Sequence, residues 1–212
     1  MLAHVEGPED FSRGGGTVAT ALKLMVSSTV YGHEELLNQV FAVLKGYGYD
    51  VWMSHKGTLP LTPGLSAFEN CLTAVRDCDL FLALITGRYG SGKEGESLSI
   101  THNEVLRAIE LNKPRFFLVH RDVITARHLL RQFRKDGEGK PRPHTFFKPT
   151  PIFDDVRILD LYDAAVRSDL PLSERRDNWA QEYDIADDVL RYLTSQFSDP
   201  ERIRRIVRGE EK

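Results

Sequence analysis

The sequence predicts an α/β protein: a parallel sheet of about four to five strands with helices on both faces (a flavodoxin-like arrangement), plus a mostly helical C-terminal extension. Three observations carry this expectation. Short apolar runs alternate with amphipathic stretches between residues 21 and 120, the pattern of linked βαβ units. One run, Leu80-Phe81-Leu82-Ala83-Leu84-Ile85, contains no polar residue, as suits a strand covered on both faces. Beyond residue 120 helical periodicity persists, while strand signals become too few for a second α/β unit.

The elements follow in order. Leu22 to Ser28 is a short apolar run ending in small hydroxyl residues, which reads as a buried strand meeting a loop. His33 to Lys45 carries an apolar stripe at 36, 37, 40, 41, 43 and 44, closed by Gly46 and Gly48. Tyr49 to Met53 is a second strand. Gly57, Pro60, Pro63 and Gly64 mark a long loop after it. Ser66 can cap a helix to about Arg76, with Phe68, Leu72 and Val75 on one face. Leu80–Ile85 is the third strand, and Gly87-Arg88-Tyr89-Gly90-Ser91-Gly92 is its exit loop. Ser99 or Thr101 caps a helix over roughly 102–112, which Pro114 breaks before the fourth strand, Arg115–His120. Further helices are expected over Ile124–Arg134, Asp154–Val166, Trp179–Phe197 and Pro200–Val207. Residues 1–20, with Gly14-Gly15-Gly16, read as a flexible N-terminal segment. The expected organisation is therefore this segment, an α/β domain over 21–135 and a helical extension over 136–212 packed on it.

Composition narrows the function. The 212 residues exceed the ~150-residue prior for one domain. A net charge of −3 argues against a general polyanion binder, so nucleic acid is not an expected partner. The basic run from Arg121 through Arg127, Arg131, Arg134 and Lys135 to Arg142 reads first as a solvated helix face. No apolar run approaches the ~20 residues of a membrane span, and the first 20 residues are too polar for a signal-peptide core. Cys71 and Cys78 are the only cysteines, too few for a disulfide scaffold or a four-cysteine metal site. Seven residues apart on a helix, they stand about 10 Å apart, too far to bridge. A cytoplasmic protein with two reduced, buried thiols, without a metal or prosthetic cofactor, is expected.

In a parallel sheet, ligands bind beyond the carboxyl ends of the strands. The sequence names those ends as Ser27-Ser28-Thr29, Ser54-His55, Thr86-Gly87-Arg88 and His120-Arg121. Gly87-x-x-Gly90-x-Gly92-Lys93 lacks the spacing of a phosphate-binding P-loop, and the first strand is not followed by a dinucleotide-binding glycine motif. Glu104 is the sharper candidate. In the first turn of its helix it would complement the helix dipole, or complete a capping box with Thr101. At the ligand edge, the same carboxylate could stabilise an oxocarbenium-like ribosyl cation or attack the anomeric carbon.

Several stretches carry a family resemblance together: Leu24-Met25-Val26-Ser27-Ser28-Thr29, Gly48-Tyr49-Asp50-Val51-Trp52, Cys71 to Leu82, Gly87-Arg88-Tyr89-Gly90-Ser91, Ser97-x-Ser99-x-Thr101-x-x-Glu104 and Asn112-Lys113-Pro114. In this order the region from Lys23 to Leu130 resembles the prokaryotic branch of the TIR (Toll/interleukin-1 receptor) superfamily. Nucleoside 2-deoxyribosyltransferases share a similar sheet and glutamate. The resemblance implies an enzyme that cleaves the nicotinamide–ribose bond of NAD, as a glycohydrolase or cyclase, in bacterial antiphage signalling. NAD is then substrate, Glu104 is catalytic, and the substrate-binding residues are Ser27, Ser28, Thr29, His55, Phe68, Arg88, Tyr89, Ser99 and Thr101. It also implies a homo-oligomer and a downstream effector protein as partners. The tryptophan–cysteine pair that TIR enzymes carry near this glutamate is absent, with Ser97 to His102 in its place. Two alternatives stand beside this reading: a non-catalytic module binding a nucleotide signal or a protein, and a deoxyribosyltransferase-like enzyme acting on nucleosides.

Overall fold

The computed structural model describes residues 20–92, 98–176 and 178–210. Its centre is a five-stranded parallel sheet of β1 (Lys23–Ser28), β2 (Asp50–Trp52), β3 (Leu80–Ile85), β4 (Arg115–His120) and β5 (Ala180–Tyr183), ordered β2-β1-β3-β4-β5. Side chains alternate across the pleat. Met25, Phe81, Ala83, Phe117 and Val119 face one apolar layer, completed by α2 (Ala67–Asp77), α3 (Ile100–Glu110), α4 (Arg121–Leu130) and α5 (Arg157–Ala165). Leu24, Val26, Leu82, Leu84 and Leu118 face the other, against α1 (Glu34–Gly46), α6 (Ala186–Phe197) and α7 (Pro200–Val207). All six residues of β3 are buried, because helices cover both faces.

The α/β class and the parallel sheet agree with the sequence expectation. The helix expected over Trp179–Phe197 does not form as one unit. It divides into β5 and α6, with the backbone N–H groups of Asp184 and Ile185 donating to the Asp188 carboxylate at the junction. The strand pairs with β4 from Phe117↔Ala180 to His120↔Tyr183, and only Tyr183 of its residues is buried. An edge strand so lightly covered needs no apolar run, so Ala-Gln-Glu-Tyr gave no strand signal. α4 starts at Arg121 rather than Ile124, because the His120 ring accepts the Asp122 N–H at 3.2 Å. The expected flexible segment lies, for residues 1–19, outside the described residues. Among the described residues no helix is long and apolar enough to cross a membrane.

The segment after α4 packs directly on the exit of β3. The Asp154 N–H donates to the Gly87 carbonyl at 3.1 Å, and the Asp154 carboxylate accepts the Tyr89 N–H at 2.9 Å. A Cβ on Gly87 would lie 1.9 Å from the Ile152 carbonyl oxygen, so only glycine permits this approach. Gly87→Ala is expected to cost about 1–3 kcal/mol through forced backbone movement, measured as a lower urea midpoint at unchanged slope.

Candidate functional site

Between β1 and β3 the chain changes direction along the sheet, because β2 lies on one side of β1 and β3 on the other. Such a switch point opens a crevice at the strand carboxyl ends. A cavity of about 430 Å³ lies there, walled by Ser27 to Tyr31, Ser54 and Leu59, Ala67 and Cys71 of α2, Gly90 and Ser91, and Ile100, Thr101 and Glu104 of α3. The sequence builds these walls locally. A reciprocal capping box between Ser66 and Glu69 starts α2. The buried Asn70 side chain accepts the Thr62 N–H and donates to the Leu65 and Ser66 carbonyls, tying the loop after β2 to α2. Gly90 adopts φ +80°, with the Thr29 hydroxyl 2.8 Å from where a Cβ would stand.

Ser99 caps α3, its hydroxyl accepting the His102 N–H at 3.2 Å. The helix thus begins at Ile100, and Glu104 is its fifth residue rather than part of the first turn. Neither the capping box with Thr101 nor a first-turn dipole role applies. Glu104 turns inward instead and is 5% exposed. The Ser27 hydroxyl donates to its carboxylate at 2.5 Å, and the Cys71 thiol forms a second hydrogen bond. Burial nevertheless dominates these two donors and pushes the Glu104 carboxyl up to about 7. Burial and the neighbouring carboxylate likewise push the Cys71 thiol up to about 12, so it stays protonated as a donor. Glu104 is the only charged residue among the described residues that line the cavity. A buried carboxylate without a cationic partner is electrostatically costly, and a cation delivered by a ligand would relieve that cost.

The structure brings Ser27, Ser28, Thr29, Thr101 and Glu104 to one cavity. Ser99 and Tyr89 are placed as supports behind it. The Tyr89 hydroxyl accepts the Ser99 N–H at 3.3 Å and bonds His102 Nδ1 at 2.8 Å, and the Arg157 guanidinium covers its ring at 4.9 Å. Burial brings the His102 imidazole down to about 4, so the ring that bonds Tyr89 is neutral. His55, Phe68 and Arg88 lie outside the cavity lining. His55 sits on a 3-10 turn after β2, Phe68 in the first turn of α2, and Arg88 on the β3 exit. Cys71 is the lining group that sequence reasoning left as an inert buried thiol; its pairing with Glu104 joins α2 to α3, and no sequence spacing encodes it. A larger recess of about 1000 Å³ opens at the β4–β5 edge near Pro114 and Trp179, but its acids Glu182 and Asp188 are not buried. Among the described residues no group of three His, Cys, Asp or Glu side chains could hold a metal ion.

A family model described as "Domain of unknown function (DUF4062)" matches residues 23–152, more than half of the chain. No curated protein matches. Among solved structures, the CMP N-glycosidase BcmB of Clostridium botulinum is similar at 14% identity and a TM-score of 0.43, covering 82% of this chain and 98% of that one. A likeness at this level carries no functional argument.

Proposed function

We propose that this chain, which belongs to the family described as Domain of unknown function (DUF4062), is a TIR-like enzyme that breaks the nicotinamide–ribose bond of NAD. The observation that carries the reading is the lone buried carboxylate of Glu104 in a cavity with no cationic lining residue among those described. NAD brings positive charge to such a site twice: on its pyridinium ring in the ground state, and on the ribosyl carbon as the bond breaks. The C1′–N bond breaks with its electron pair passing to nicotinamide, which leaves neutral and needs no proton. Water then adds to C1′ and releases a proton, giving ADP-ribose; attack by a substrate atom would give a cyclic product. Glu104 stabilises the developing cation, an electrostatic role of the kind that dominates many enzyme rate enhancements. Ser27 and Cys71 hold its carboxylate in place, and the hydroxyls of Ser28, Thr29 and Thr101 are suited to ribose contacts. Antiphage signalling, a homo-oligomeric assembly and an effector partner belong to the same reading through the TIR resemblance.

A second reading, cleavage or base exchange on free nucleosides, is favoured by cavity size. About 430 Å³ lies toward the small end of ligand sites and suits one nucleoside better than a dinucleotide. The test is to incubate the purified chain with NAD and, separately, with nucleosides and CMP, and to identify products by mass. Nicotinamide with linear or cyclic ADP-ribose, formed by the wild type and not by Glu104→Gln, is the expected result. Free base from nucleosides or CMP without NAD loss would replace the first reading by the second. No Glu104-dependent product in any arm, in concentrated or infected-extract-treated samples, would overturn both.

The protonation of Glu104 sets the pH profile of each chemistry. With NAD the ionised carboxylate is the competent form, so kcat/KM is expected to rise with pH and level off above about 7. A nucleoside base departs more readily when protonated, so a nucleoside activity using the Glu104 acid form would instead fall above that pH.

A further inference from the structure

We propose that the recess between α4 and α5 is a binding site for a small phosphorylated ligand, its phosphate dianion seated among Arg127, Arg131, Arg134 and Lys135. The inference is independent of the NAD reading. These side chains come from one face of α4 and the turn after it, and they line a cavity of about 360 Å³ with Asp160 and Asp163 of α5. Two of the cations are fixed in place. Arg127 Nε and Arg134 Nη1 donate to the two oxygens of Asp163, each at 2.6 Å, and Arg134 also pairs with Asp160. Arg127 further lies 5.5 Å from the Tyr162 ring centroid. Each guanidinium carries five N–H donors, so these bonds orient the groups while leaving donors for a ligand. Arg131 and Lys135 are exposed and have no side-chain partner among the described residues.

The lining holds four cations and two carboxylates, a formal surplus of two positive charges. A phosphomonoester dianion carries the charge that balances it, and guanidinium forks match phosphate oxygens. A recess of about 360 Å³, with Pro141 of the Lys135–Pro141 bridge in its lining, has the volume of a small-molecule site. The run of basic residues thus forms a concave pocket with pinned donors, which a solvated helix face does not require.

The test is calorimetric titration of the full chain with inorganic phosphate and with pyrophosphate in chloride buffer at fixed ionic strength. Wild type is expected to bind saturably. Arg131→Ala/Lys135→Ala, at exposed positions, should keep the fold by circular dichroism and weaken binding roughly tenfold or more. Asp160→Asn leaves Arg134 held by Asp163, removes a competing negative charge and should tighten binding severalfold. Absence of saturation in the wild type, equal binding by the double variant, or weaker binding by Asp160→Asn would each overturn the proposal. So would a single-stranded oligonucleotide that binds more tightly than pyrophosphate.

Discussion

Glu104→Gln is expected to lower nicotinamide release by about 100- to 1000-fold, the effect of removing one preorganised electrostatic group at a developing charge. The same change is expected to stabilise the protein at alkaline pH. In the folded chain the carboxyl holds its proton up to about pH 7, whereas unfolded it loses it near 4.5. The native state therefore binds more protons than the unfolded state in this window. Its stability from this group falls as pH rises from 4.5 through 7, by about 3 kcal/mol in all. Glutamine has no such titration. Urea denaturation at pH 8 should find Glu104→Gln more stable by roughly that amount, with the difference shrinking toward pH 4.5. The neutral His102 acts in the opposite sense, losing stability as pH falls from 6.5 through 4, but it is present in both proteins and cancels in the comparison. Equal midpoints at pH 8 would remove the electrostatic tension on which the catalytic reading depends.

Phe197→Ala is expected to cost about 3–5 kcal/mol, a large share of the 5–15 kcal/mol that typically holds a domain folded. Phe197 is completely buried on α6. Its ring meets Tyr49 edge-on at 5.9 Å and Phe116 at 4.8 Å, and its carbonyl accepts the Tyr49 hydroxyl at 3.0 Å. Tyr49 precedes β2 and Phe116 belongs to β4, so one side chain clamps the C-terminal helix across the sheet. Val189, Leu193 and Ile203 join it in the same apolar layer, while Phe153, Ile158 and Leu161 enter the other. Denaturation of Phe197→Ala should therefore show one earlier cooperative transition. Two separate transitions, with the α/β part unshifted, would show the C-terminal region to be a detachable appendage.

The first four strands and their helices were legible because each is covered on at least one face and writes that burial into its composition, Leu80–Ile85 most plainly. β5 was not, since an edge strand with one buried residue leaves Ala180-Gln181-Glu182 free to be polar. Glu104 was legible as a candidate by its position after β3, but its environment was not. A two-residue error in the helix start placed it in the first turn, where it looked like part of a cap; of the two caps the sequence offered, Ser99 is the one that forms. The surroundings of Tyr89 were equally illegible: Ser99 at the cap of α3, His102 on α3 and Arg157 on α5 all meet it. The contact of Cys71 with Glu104 spans two helices and leaves no local trace.

The central strand β3 has a consequence for handling the protein. Leu80–Ile85 is a six-residue, wholly apolar, uncharged segment without proline or glycine, features shared with cross-β aggregation cores. In the folded chain it is shielded by neighbours on both edges and helices on both faces, while the sheet's own edges are strands of only three and four residues. Those stubs offer little template for chain-to-chain pairing. Once the outer helices detach, that shield is gone, and heating is expected to end in precipitation rather than reversible unfolding.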